Sequence, residues 1–192
     1  MSDADRGRRW GTASYSLEEA LALLQRTPVV LRALLDGLPE AWIRATDGPG
    51  TWSAYDVVGH LIHGERTDWI PRVRHILERG EREPFPPFDR EAMFAASGEK
   101  TLAELLERFE ELRGENLAAL RALRLDEAAL ARTGIHPGLG RVTLGQHLAT
   151  WVVHDLGHLR QIAQTMGRRY GDAIGPWRAY FSMFSEEDPG RR

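Results

Sequence analysis

The 192-residue sequence predicts an all-α protein, a four-helix bundle with a short additional C-terminal helix. Three observations carry that prediction. Four long segments repeat apolar residues at helical spacing. Their starts carry helix-capping residues. No segment sustains the strict alternation expected of a half-buried strand. With no internal repeat and no break in composition, residues 15–184 read as a single helical domain, flanked by flexible ends at 1–14 and 185–192.

The first helical segment starts in SLEEALALLQRTPVVLRALLDGL, where Ser16 and Glu19 form a capping-box pattern. Leu21, Leu24, Leu31 and Leu35 belong to its apolar stripe, and Pro28 predicts a kink or a split. TDGPGT follows as a turn. Ser53 and Asp56 cap the second segment, whose stripe is Val58, Ile62, Trp69, Val73 and Ile76, with Pro71 as a second kink. EREPFPPFD is too proline-rich for regular structure, and the longer stretch through Phe94 reads as a loop over the bundle mouth. TLAELLERFEELRGENLAALRAL is the third helix, and its dense charge reads as a solvated face. After the loop TGIHPGLGR, the fourth helix starts at the cap Thr143 and runs to about Met166, with Gly167 as its C-cap. AIGPWRAYFSMF predicts the short final helix.

Composition narrows the function classes. The net charge of -3 argues against nucleic-acid binding, and the basic runs lie only at the two ends. There is no cysteine, so any thiol chemistry needs a thiol from another molecule. No apolar run approaches the ~20 residues of a membrane span, and no signal-peptide core is evident near the start. A cytoplasmic protein without a membrane or nucleic-acid partner is expected.

Chemistry concentrates in the histidines. Of seven, His147, His154 and His158 lie on the fourth helix. At about 100° per residue, they share a face with Trp151 and Gln161, beside the apolar stripe. Two histidines four apart can both reach one metal ion at ~2.0–2.1 Å. Bundles build such sites from facing helices, and the second helix offers His60, His63 and Glu65. Spacing does not choose between His60 and His63. His147 lies ~10 Å along the axis from His154 and reads as structural or supporting. His75 and His136 read as surface residues, and Trp52, Trp69, Trp151 and Trp177 as core or pocket wall. HDLGH resembles the metalloprotease pattern H-E-x-x-H, but Asp155 is one methylene shorter than Glu and no further histidine follows, which argues against a protease.

Taken together, TWSAYDVVGHL and TLGQHLATWVVHDLGHLRQI resemble the two motifs of the DinB superfamily. In the first, Trp52 precedes His60 by eight residues. In the second, His154 and His158 are followed by Gln161. The resemblance spans roughly Ser16 to Phe184 and selects His60 over His63. It implies a divalent metal, zinc or nickel foremost, held by His60, His154 and His158, with open positions for water or a small-molecule substrate. Members of that family include transferases that use low-molecular-weight thiols, a mycothiol-dependent maleylpyruvate isomerase and proteins described as hydrolases. A thiol-dependent S-transferase acting on a small electrophile is therefore one expectation, with the thiol as cosubstrate. A metal-dependent hydrolase, with Glu65 or Asp155 as base, is another. A non-catalytic helical module would instead close the site with a fourth ligand from His63, Glu65 or His136. The family also implies a homodimer.

Overall fold

The computed structural model of the protein describes residues 14–89 and 92–184, so both predicted flexible ends fall almost wholly outside the described residues. The first leg of the bundle is split into α1 (Leu17–Leu24) and α2 (Thr27–Leu35). Ser16 caps α1 by accepting from the Glu19 amide at 3.3 Å. Pro28 sits in the first turn of α2, where a missing N–H costs nothing, so the chain restarts there and does not kink. A single turn, α3 (Glu40–Ile43), leads to the second leg.

That leg is α4 (Ala54–Thr67) followed by α5 (Trp69–Glu78). Ser53 and Asp56 cap α4 reciprocally. The break at Asp68 falls three residues before Pro71, because in a continuous helix the proline ring would meet the Thr67 carbonyl. The proline-rich segment that follows is irregular to Asp89, but α6 (Ala92–Ser97) forms inside the stretch expected to be loop. The third leg is α7 (Leu102–Ala122), capped reciprocally by Thr101 and Glu104.

After the short α8 (Glu127–Leu130), the predicted loop TGIHPGLGR is a two-stranded antiparallel hairpin, β1 (Thr133–His136) and β2 (Gly140–Thr143). Four residues per strand are too few for alternation to register in the sequence. The hairpin is held from outside. The Phe85 amide donates to the Ile135 carbonyl at 2.9 Å, so the proline-rich loop covers the β1 edge. Gly134 permits that approach, since a Cβ there would lie 2.8 Å from the Phe85 ring and 2.9 Å from Ile76.

The fourth leg, α9 (Leu144–Arg168), is capped by Thr143 and Gln146 and runs past the expected C-cap at Gly167. Gly167 instead lets Met183 pack closely: a Cβ there would lie 2.6 Å from Met183 Sδ, and that side chain would have to shift. The expected short final helix is present as two 3-10 helices, at 175–180 and 182–184. Trp177 and Tyr180 are 67% and 81% exposed. With so little apolar surface buried, a short α-helix has nothing to stabilise it. Trp177 is therefore neither core nor pocket wall.

The core is two apolar clusters stacked along the bundle. One centres on Leu31, Val58, Phe109 and Ile162, the other on Leu24, Trp69, Leu117 and Trp151. On every leg the residue between the clusters is polar and buried: Thr27, Glu65, Arg113 and Asp155. Among the described residues, no helix is long and apolar enough to cross a membrane.

Candidate metal centre

α4 brings His60 to face His154 and His158 of α9. The Nε2 atoms of His60 and His154 lie 3.0 Å apart, and those of His158 and His154 lie 3.1 Å apart. His60 is buried and the other two are half-buried. The donor atoms of the three all lie within 4.8 Å of one another, and no other carboxylate or histidine among the described residues joins them. His63 is held away, with its ring 4.9 Å from that of Phe88 and its Nε2 3.5 Å from Thr67 Oγ1. Glu65 and His136 also stay outside the cluster.

The donor set suits a cation. Three imidazole Nε2 atoms converge, yet a proton can bridge only one pair at a time. Neighbouring donors at ~2.1 Å from one ion stand roughly 3.0–3.4 Å apart, close to the spacing here. His158 is already in the right tautomer. Its Nδ1 donates to Gln161 Oε1 at 2.8 Å, which leaves the Nε2 lone pair free. Burial, and then the charge of neighbouring His154, lower the His158 pKa from 6.5 to about 4, so this ring is neutral at physiological pH. In the metal-free protein the unfolded chain therefore takes up this proton before the folded one does. Stability should fall as pH drops from about 6.5 towards 4. Thermal melts across that window check this, and His158→Gln should flatten the slope.

Aromatic rings wall the cluster. The His60 ring centroid is 4.8 Å from that of Trp52 and 5.7 Å from that of Phe88, which meets it edge-on. Trp69 meets His154 edge-on at 5.0 Å and stacks on Trp151 at 5.4 Å. Phe88 belongs to the proline-rich loop, so that loop does reach the mouth of the site. Sequence reasoning named no residue in it.

The two carboxylates considered as bases are committed elsewhere. Arg113, 1% exposed, donates from Nε and Nη2 to Glu65 Oε1 at 3.0 and 2.7 Å, and from Nη1 to Asp155 Oδ2 at 2.6 Å. Glu65 also accepts from Asn116 at 2.9 Å and from the Trp151 indole at 3.3 Å. Asp155 also accepts from Thr27 at 2.6 Å. Burial pushes the Glu65 pKa up despite the pull of Arg113 and Asn116. For Asp155, burial is outweighed by contacts with His154, Arg113 and Thr27, and the net shift is down. His154 Nδ1 is 4.0 Å from Asp155 Oδ1, beyond hydrogen-bond length. With Asp155 Oδ1 accepting from Arg113 Nη2 at 3.1 Å, every oxygen of the two carboxylates already accepts a hydrogen bond inside this network, which argues against the base role expected of them.

The other histidines are structural. His147 is buried and donates from Nε2 to the Trp69 carbonyl at 3.1 Å, fastening the start of α5 to α9. His75 donates to the Glu83 carbonyl at 2.7 Å, and His136 Nδ1 accepts the Gly138 and Leu139 amides. Both are half-buried anchors of the loop and the hairpin, not free surface residues.

No curated protein sequence matches the chain. Among solved structures it is similar to YfiT from Bacillus subtilis, described as a probable metal-dependent hydrolase with an unusual four-helix bundle topology. The two share 24% identity and a TM-score of 0.70, over 84% of this chain and 93% of that one. The model of the DinB superfamily matches residues 23–162, a span that contains all three clustered histidines. The chain belongs to the DinB superfamily.

Proposed function

We propose that the protein is a metal-dependent hydrolase of small molecules in which His60, His154 and His158 hold one divalent ion. The observation that carries this reading is the convergence of three imidazoles, with His154 Nε2 at 3.0 and 3.1 Å from those of His60 and His158 and all donor atoms within 4.8 Å, without a fourth protein donor among the described residues. Structural zinc sites are closed by four protein ligands, whereas catalytic sites keep a position open. A bound divalent ion would supply Lewis acidity and bring the pKa of a coordinated water or thiol towards neutrality. The chain's own part is to supply neutral imidazoles, fix the His158 tautomer through Gln161, and exclude bulk water with Trp52, Trp69 and Phe88. The similarity in fold to YfiT supports hydrolysis.

Thiol transfer to an electrophile is the second reading. Its supporting observation is the commitment of Glu65 and Asp155 to Arg113, which leaves no uncommitted carboxylate in the cluster among the described residues. A coordinated thiol needs none, and the cysteine-free chain would take its thiol from solution.

Elemental analysis of untagged protein, beside the His154→Ala/His158→Ala double variant, tests the common premise. About one divalent ion per chain is expected in the parent and none in the variant. Equal metal in both, or none in either after loading with zinc or nickel, overturns it. Assay of the loaded protein against ester and amide substrates, with and without low-molecular-weight thiols, then separates the two reactions.

A further inference from the structure

Beside the centre lies a groove of about 240 Å³, between the α4–α5 leg and the proline-rich loop. Its walls include His63, Thr67, Pro71, Pro86, Pro87 and Phe88. The Phe88 ring is the partition: it lies 4.9 Å from the ring of His63 on the groove side and 5.7 Å from His60 of the cluster. We propose that this groove is the subsite that receives a neutral aromatic side group of the substrate whose reacting end lies at the three histidines. This rests on the reading that the histidine cluster is the reacting centre.

Three features select such a group. The first is size. An apolar cavity of ~150 Å³ already holds benzene, so this groove has room for a substituted ring. The second is wall chemistry. Three prolines and a phenylalanine offer flat apolar faces. Two charged side chains line the described wall: Arg72, held by Asp68 at 2.7 Å, and Asp89, which accepts the Ala92 amide at 3.3 Å and would repel an anionic group. The third is rigidity. The loop is tied down by the Phe85 amide to the Ile135 carbonyl at 2.9 Å, by His75 to the Glu83 carbonyl at 2.7 Å, and by Arg72 to the Pro86 carbonyl at 3.5 Å. A wall formed before the ligand arrives avoids the ordering cost of binding.

The test uses 4-fluorobenzyl alcohol as probe, followed by ¹⁹F NMR on the full chain. Saturable line broadening is expected in the parent. Loading with cobalt(II) in place of zinc(II) should add further relaxation of the bound probe, because the centre is a ring's width away. Thr67→Phe fills the groove from an exposed position on α4, and Thr67→Leu fills it more mildly. Each should weaken the probe at least tenfold while metal content is unchanged. No saturable binding, binding indifferent to both substitutions, or the same relaxation with cobalt as with zinc overturns the proposal. If the chain takes up no metal, the functional reading fails separately, and the titration of metal-free protein still decides whether the groove binds the ring.

Discussion

Arg113→Met should lower the stability of the protein by about 3–5 kcal/mol, read as a shift in the urea midpoint at neutral pH. The guanidinium is 1% exposed and stands between two carboxylates that are themselves buried. It donates to both, and to the Leu24 carbonyl at 2.7 Å. Methionine fills a similar volume, so little of the loss comes from packing. The loss comes from Glu65 and Asp155, which would be left close together in a dry layer without a counter-charge. One or both would then bind a proton, and the variant should regain part of its stability as pH falls. Replacing the whole layer, with Glu65→Leu and Asp155→Leu added to Arg113→Met, should recover much of the loss, because apolar replacements of a buried ion triad are often neutral or stabilising. A single variant within about 1 kcal/mol of the parent would show that the layer is solvated and not a buried ion network.

That layer also marks where the sequence was legible and where it was not. Periodicity placed the four legs, and caps such as Ser53 and Thr143 stand where expected, because both signals are local. The cluster was legible for a similar reason. His154 and His158 share a face by spacing alone, while the pairing of Trp52 with His60 came only through the family resemblance. Arg113 was hidden by its setting. It lies in the charged run ERFEELRGEN, which reads as a solvated face, yet it falls four residues from both Phe109 and Leu117 on the buried stripe. That register was the available signal, and charge outweighed it. The partner of Glu65 and Asp155 went unread because it lies on a third helix, 48 and 42 residues away in the chain. The hairpin was missed because Gly134 and Gly140 read as loop, when Gly134 in fact serves the close approach of Phe85.

The second large effect should come from His154. Its Nε2 lies 3.0 Å from that of His60 and 3.1 Å from that of His158, so it is the donor common to both close pairs. His154→Ala leaves one imidazole on α4 and one on α9, with a gap where the middle donor stood. Affinity for zinc should fall by at least about a thousandfold, since a site of three neutral imidazoles keeps little hold with two. Gln161→Leu removes no donor. It deletes the acceptor that holds the proton on His158 Nδ1, so the ring is free to rotate or to take the other tautomer. A loss of about 10–100-fold is expected there, the usual range for a residue that orients a ligand. His63→Ala should bind zinc like the parent, because its ring packs on Phe88 outside the cluster. Competition against a chromophoric chelator at pH 7.5 orders the three variants. Should His63→Ala lose more affinity than His154→Ala, the ion would sit on the groove side of Phe88. Should Gln161→Leu leave affinity unchanged, the His158 tautomer would be set by the ion itself and not by this hydrogen bond.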